Sequence, residues 1–163
     1  MADLCFKGVA WTFGSQIDTD QIVPGQFLNA TLDEQSRHVF ETICPEFCSE
    51  FTAGGIIVAG SNFGCGSSRE SAPEVLKHLG AAAVIAESFA RIFFRNAIAI
   101  GFPVLVCPGV AGEVMQGDHV EVDMQRARVT TVERGRTLQG VPLNAIMLEC
   151  LKQGGIMKLL VEP

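Results

Sequence analysis

Tyrosine is absent from this 163-residue chain and tryptophan occurs once, so aromatic packing rests on eleven phenylalanines. Phenylalanine has no hydroxyl or ring N–H to satisfy, which suits a dry core. Charge is scarce too: Asp, Glu, Lys and Arg make up 18% of residues against 48% apolar, which excludes a disordered chain. So apolar a composition also raises the expectation of a partner interface. Positive charge is the scarcer sign, 12 against 18, and the net −6 speaks against nucleic acid or an anionic membrane as partner. Long apolar runs are missing. The greasiest stretch, 97–112, is broken by Pro103, Pro108 and three glycines, and it is shorter than the roughly 20 residues that span a bilayer. Met1 to Gly14 carries one lysine and no long apolar core, so no secretory leader is expected and the expected location is cytoplasmic. There is no Cys-x-x-Cys pair either. Cys5, Cys44, Cys48, Cys65, Cys107 and Cys150 are scattered, a poor framework for zinc or an iron–sulfur cluster, and read as reduced, buried thiols.

What is present fits one domain, 1–163. Leu4 to Thr12 reads as a strand, and Ile17 to Leu28 as a loop with turn residues at Asp18, Asp20, Pro24 and Gly25. Thr31 and Glu34 stand in capping-box register for a helix to about Ile43. Buried strands are expected at 56–59, 82–86 and 104–106, with helices at about 68–79 and 89–100 between them. The pattern then changes to an alternating hairpin, 119–123 and 128–132, with 136–139 as a further short strand. A helix from Pro142 to Lys152 follows, ended by Gly154-Gly155, and Met157 to Val161 reads as a returning strand. Buried strands alternating with helices, followed by a hairpin, define an α/β fold with a mixed sheet.

The most informative stretch is Gly60-Ser61-Asn62-Phe63-Gly64-Cys65-Gly66-Ser67-Ser68-Arg69-Glu70, where a buried strand gives way to a helix. Open α/β sheets bind ligands at such positions. Gly64 and Gly66 permit left-handed backbone, Ser67 and Glu70 stand in capping-box register, and Arg69 can grip both oxygens of a carboxylate. One reading is an anion pocket at a helix start; the other is a capped helix with two turn glycines. A P-loop is excluded, since no Gly-x-x-x-x-Gly-Lys-Ser/Thr run exists. A dinucleotide- or phosphate-binding module is a weak alternative. Arg69 occupies the third glycine position of Gly-x-Gly-x-x-Gly, although Glu87 lies about 20 residues on, where a ribose-binding acid would. Cys65 is placed for a lowered pKa near a helix start, yet no histidine is placed to activate it. His38, His78 and His119 read as surface residues. Arg91 and Arg95, four apart on one helix, read as ion-pair or interface residues.

Asn62 to Glu70 with Ala72-Pro73, together with Ile17-Asp18-Thr19-Asp20-Gln21-Ile22-Val23-Pro24 and Ser88-Phe89-Ala90-Arg91-Ile92-Phe93-Phe94-Arg95-Asn96, resembles the signature blocks of 3-isopropylmalate dehydratase small subunits. The blocks are also similar to those of homoaconitase small subunits and of the swivelling domain of aconitases. The resemblance implies a swivelling β/β/α domain and a hydro-lyase that interconverts 2- and 3-isopropylmalate by dehydration and rehydration in leucine biosynthesis. It implies that this chain binds no cofactor itself and is active only with a large subunit that carries a [4Fe–4S] cluster. By that resemblance Ser67 is the base for the proton α to a carboxylate, and Asp20 orients catalytic groups. Arg69 clamps a substrate carboxylate of the small hydroxy di-acid, with Ser68 and Gly66 beside it. Leu28 and Asn29 lie in the element that chooses the substrate side chain. Asn29 is neither basic, as suits homoaconitate, nor apolar, as suits isopropyl, so homoaconitate and methyl- or dimethylmalate stand as alternatives. Gln26 and Ser71 also depart from residues common in the family, arginine and histidine.

Overall fold

The computed structural model describes residues 3–161. In chain order the elements are β1 (Cys5–Thr12), α1 (Thr19–Ile22), a 3-10 turn (Gly25–Phe27), α2 (Leu32–Ser36), α3 (Phe47–Glu50) and β2 (Ile56–Ala59). Then come α4 (Ser71–Leu79), β3 (Ala83–Ala86), α5 (Arg91–Ala99), β4 (Val104–Val106) and α6 (Val110–Glu113). The chain continues through β5 (His119–Asp123), β6 (Arg128–Thr131), β7 (Arg136–Gln139), α7 (Ala145–Gln153) and α8 (Ile156–Val161).

One seven-stranded sheet runs in the order β4-β3-β2-β1-β5-β6-β7. Its first four strands are parallel and its last three join antiparallel, so β1 is the seam between two kinds of pairing. The composition of each half explains the split. Ile56-Ile57-Val58-Ala59 and Ala83-Val84-Ile85-Ala86 are buried along their whole length, as parallel strands covered on both faces must be. His119 to Asp123 alternates, with Val120 and Val122 inward, as a one-sided antiparallel strand does. The expected mixed α/β sheet is therefore the observed one.

Four local expectations are corrected. The helix from Thr31 stops at Ser36: Thr31 does cap it, its Oγ1 accepting from Glu34 N (3.2 Å), but Phe40 adopts φ 58° and cannot continue a helix. Its N–H instead donates to the Ile22 carbonyl (3.2 Å), and its ring is buried among Phe13, Phe47 and Phe63. Tertiary packing outweighs local propensity there. The helix expected from Ser68 begins at Ser71, with Glu70 as an N-cap that makes no side-chain hydrogen bond. The last long helix begins at Ala145 rather than Pro142, because Asn144 Oδ1 caps it by accepting from Met147 N (2.8 Å). Residues 156–161 are helical rather than a strand. Left-handed Gly154 and Gly155 reverse the chain, and the Leu159 N–H closes on the Gly155 carbonyl (3.2 Å).

Candidate functional site

The loops that follow β2 and β3 leave the carboxyl ends of adjacent parallel strands, and the loop after β1 runs beside them. Short parallel bridges, Asp18 to Cys65 and Phe63 to Phe89, tie the three together beyond the sheet. Phe63 N donates to the Ser88 carbonyl (3.1 Å), Ala90 N to the Phe63 carbonyl (2.9 Å), and Gly64 N to the Ile17 carbonyl (2.7 Å). Thr19 holds the turn itself: its N–H donates to the Cys65 carbonyl (2.9 Å) and its Oγ1 to the Ser67 carbonyl (3.1 Å). Gly64 and Gly66 adopt φ 83° and 93°. At Gly64 no other residue fits, since a Cβ would lie 2.4 Å from Phe93 Cγ.

These contacts use the backbone of the loop and leave Ser67 and Ser68 exposed. Both line a cleft of about 340 Å³ with Gly66, Arg69, Arg91 and Phe93. Arg69 does not reach freely into it. Its Nη2 pairs with Asp20 Oδ1 (2.5 Å) and its Nη1 donates to the Val23 carbonyl (3.1 Å), with only 14% of the side chain exposed. Asp20 is free to do this because Asp18 takes the turn role, accepting from Gln21 N (2.8 Å) in a capping box. Starting α4 at Ser71 rather than at the expected capping-box position leaves 67–69 outside the helix, where Arg69 can turn back to the early loop.

No carboxylate lines the cleft. The amino end of α5 borders it, with Arg91 as the first helical residue and no acidic residue in the first turn. That end and Arg91 together favour an anion. Sequence reasoning placed the helix dipole in α4; the structure places α5 against the cleft as well. Of the two roles expected for Arg91, ion pair or interface, the first is not found: none of the ion pairs among the described residues involves it. Thr19 was missed as an anchor. Its signal was available: a buried threonine between two aspartates in a turn-rich loop needs a partner for its hydroxyl.

Leu28 and Asn29 are exposed and lie outside the residues that line the cleft. Their segment is held from behind: buried Gln35 donates through Nε2 to the Phe27 and Leu28 carbonyls (3.0 and 3.1 Å), and the Phe27 ring stacks on His38 at 3.6 Å. Gly25 brings the start of this segment against Asp20 and Arg69. His38 is half-buried rather than on the surface, and its hydrogen bond to Glu41 (2.6 Å) holds its pKa above the usual histidine value.

Two further expectations fail. Burial and the neighbouring Asp18 carboxylate push the Cys65 thiol up, not down, which favours the thiol over the nucleophilic thiolate. Glu87 is not open to a ribose, because its carboxylate accepts from Gly109 N and Val110 N (2.9 and 3.1 Å) and so caps α6. The six cysteines are free, but only Cys107 and Cys150 are buried; Cys44, Cys48 and Cys65 are partly buried and Cys5 is exposed. Among the described residues no group of three or more His, Cys, Asp or Glu could hold a metal ion, and no helix is long and apolar enough to cross a membrane.

The fold and cleft define an aconitase-type swivelling domain, and the aconitase C-terminal domain family model matches residues 48–107. The small subunit 1 of 3-isopropylmalate dehydratase from Methanopyrus kandleri is 46% identical over 94% of this chain and 91% of its own length. The chain belongs to the family of 3-isopropylmalate dehydratase small subunits. The methanogen homoaconitase small subunit of Methanothermobacter thermautotrophicus is 48% identical over 93% of this chain and 88% of its own length. A crystal structure of 3-isopropylmalate dehydratase from Methanocaldococcus jannaschii superposes with a TM-score of 0.90 at 39% identity, covering 96% of this chain and 93% of that one.

Proposed function

We infer that this chain is the cytoplasmic small subunit of a hydro-lyase that isomerises 2- and 3-isopropylmalate, and that it forms one wall of an active site shared with a large subunit. The observation that carries the reading is the acid-free cleft in which Ser67 and Ser68 stand exposed beside Arg69 and Arg91. The cysteines of this chain are scattered and free, which supports placing the [4Fe–4S] cluster on the large subunit. Held there, the cluster would supply a Lewis acid for the substrate hydroxyl.

The work of this chain is proton transfer and orientation. Ser67 takes the proton from the carbon α to a carboxylate and returns it on rehydration. An alkoxide is a strong enough base for that proton, and it forms only where positive charge is concentrated and water excluded. The amino end of α5 and Arg91 supply the charge. Arg69, fixed in advance by Asp20 and the Val23 carbonyl, offers its remaining N–H groups to a substrate carboxylate, so little orientation is lost on binding. Asp20, with 63% of its side chain exposed, keeps a second oxygen available toward the partner. Ser68 and Gly66 border the substrate, and Leu28 and Asn29 meet its side chain from the rim when the partner closes the site.

The experiment is a comparison of kcat/KM for the reconstituted complex on isopropylmalate, homoaconitate-type tricarboxylates and methylated malates. Isopropylmalate is expected to lead by at least tenfold, the scale at which a pocket separates substrates differing by a few methylenes. A lead for a tricarboxylate would assign the chain to homoaconitases instead.

A further inference from the structure

We propose that the groove between α5 and α7 is a docking surface for an acidic segment of the cluster-bearing subunit, which seats apolar side chains in the groove and a carboxylate on Arg95, leaving Arg91 to the cleft. The proposal rests on the reading of this chain as a small subunit and adds where the partner grips it. The groove encloses about 340 Å³ and is lined by Phe89, Phe94 and Met147 as well as the two arginines, with no carboxylate among its residues. Phe89 and Phe94 lie 5.5 Å apart between ring centroids and form its floor. Ile92 on α5 is 49% exposed, and Ile146, next to Met147 on α7, is 71% exposed.

Three observations converge on an acidic protein segment. Arg91 and Arg95 are exposed and enter none of the ion pairs among the described residues, although the chain carries 18 acidic residues against 12 basic ones. Arginine, phenylalanine and methionine are the residue types enriched where protein interfaces concentrate their affinity. Arg91 also lines the Ser67 cleft, so a partner that covers the cleft is continuous with the groove. A chain of net charge −6 repels an acidic partner over most of its surface, and a positive groove beside the site then fixes the docking orientation as well as adding affinity.

The test measures the affinity of this chain for the cluster-loaded large subunit of the same organism by calorimetry or sedimentation. Arg95 lines the groove but not the cleft, so Arg95→Glu is the variant of choice, with Arg95→Lys as the conservative control. Arg95→Glu is expected to raise Kd at least tenfold, Arg95→Lys less than threefold, and kcat at saturating large subunit is expected to stay within twofold in both. Wild-type affinity is expected to fall with added salt more steeply than that of Arg95→Glu. Equal affinity of Arg95→Glu and wild type in an active complex would overturn the docking proposal alone. Altered self-association of the free chain, with large-subunit binding unchanged, would give the groove to a second copy and overturn it too. Failure of the wild type to form any active complex would overturn the functional reading itself.

Discussion

Alanine at position 67 is expected to lower kcat of the reconstituted complex by about 10²- to 10⁴-fold, the range a positioned general base contributes. KM should change only a few-fold. The structure explains why the effect should be so clean. The scaffold of the loop is held through the Ser67 carbonyl, which accepts from Thr19 Oγ1, and alanine keeps that carbonyl. The lost hydroxyl is exposed, so stability should move by less than about 0.5 kcal/mol. Carboxylate binding through Arg69 also survives, because the arginine is positioned by Asp20 and Val23, not by the serine. Steady-state kinetics with a melting curve on the same sample checks both halves. Unchanged kcat would remove Ser67 from the proton transfer.

Alanine at Gly64 is expected to act in the opposite sense, on the fold first and on turnover as a consequence. A residue with a Cβ at φ 83° carries a left-handed penalty of about 1–2 kcal/mol. The new methyl would start 2.4 Å from Phe93 Cγ, and overpacking of that kind costs about 1–3 kcal/mol more. Phe93 cannot simply yield. It is buried, its ring lies 5.2 Å edge-on to Phe63, and it stacks parallel to Phe89 at 6.1 Å. Together the terms predict a loss of roughly 2–5 kcal/mol and a fall in Tm of about 4–20 °C for a domain of this size. Phe93 also lines the cleft, so activity should fall with stability. Thermal unfolding followed by circular dichroism decides it, and a Tm within about 1 °C of wild type would contradict the packing described.

The parts of this molecule that were legible in the sequence are those in which local chemistry and tertiary structure agree. The short apolar runs at 56–59 and 82–86 read as covered strands because helical patterns alternate with them, and the structure has strands at 56–59 and 83–86; the alternation of Val120 and Val122 read as a one-sided hairpin strand and is one. The glycine-rich turn between a buried strand and a helix left two readings open, an anion pocket and a capped helix with two turn glycines; the structure brings Gly64, Ser67 and Arg69 together along one cleft and starts the helix beyond them. What stayed hidden depends on distant partners. Nothing local to Phe40 announces that its ring belongs with Phe13 and Phe47, and that membership ends α2 early. Nothing local to Glu70 shows that its capping box with Ser67 is forgone so that Arg69 can reach Asp20, 49 positions earlier in the chain. The segment 156–161 was misread as a strand for a different reason: six mostly apolar residues fit a helical and an extended period equally well, and only packing against α5 and α7 chooses. The Cys65 thiol was misjudged because a helix start was assumed where the structure has a turn backed by Asp18.

The central claim is that catalysis needs this wall and the cluster-bearing wall together. Complementation measures it most directly: turnover of 3-isopropylmalate by this chain alone, by the cluster-loaded large subunit alone, and by the two mixed. The account predicts no turnover by either half and full activity on mixing, saturating with the concentration of this chain. Undiminished turnover by the large subunit alone, or none by the mixture, would contradict it.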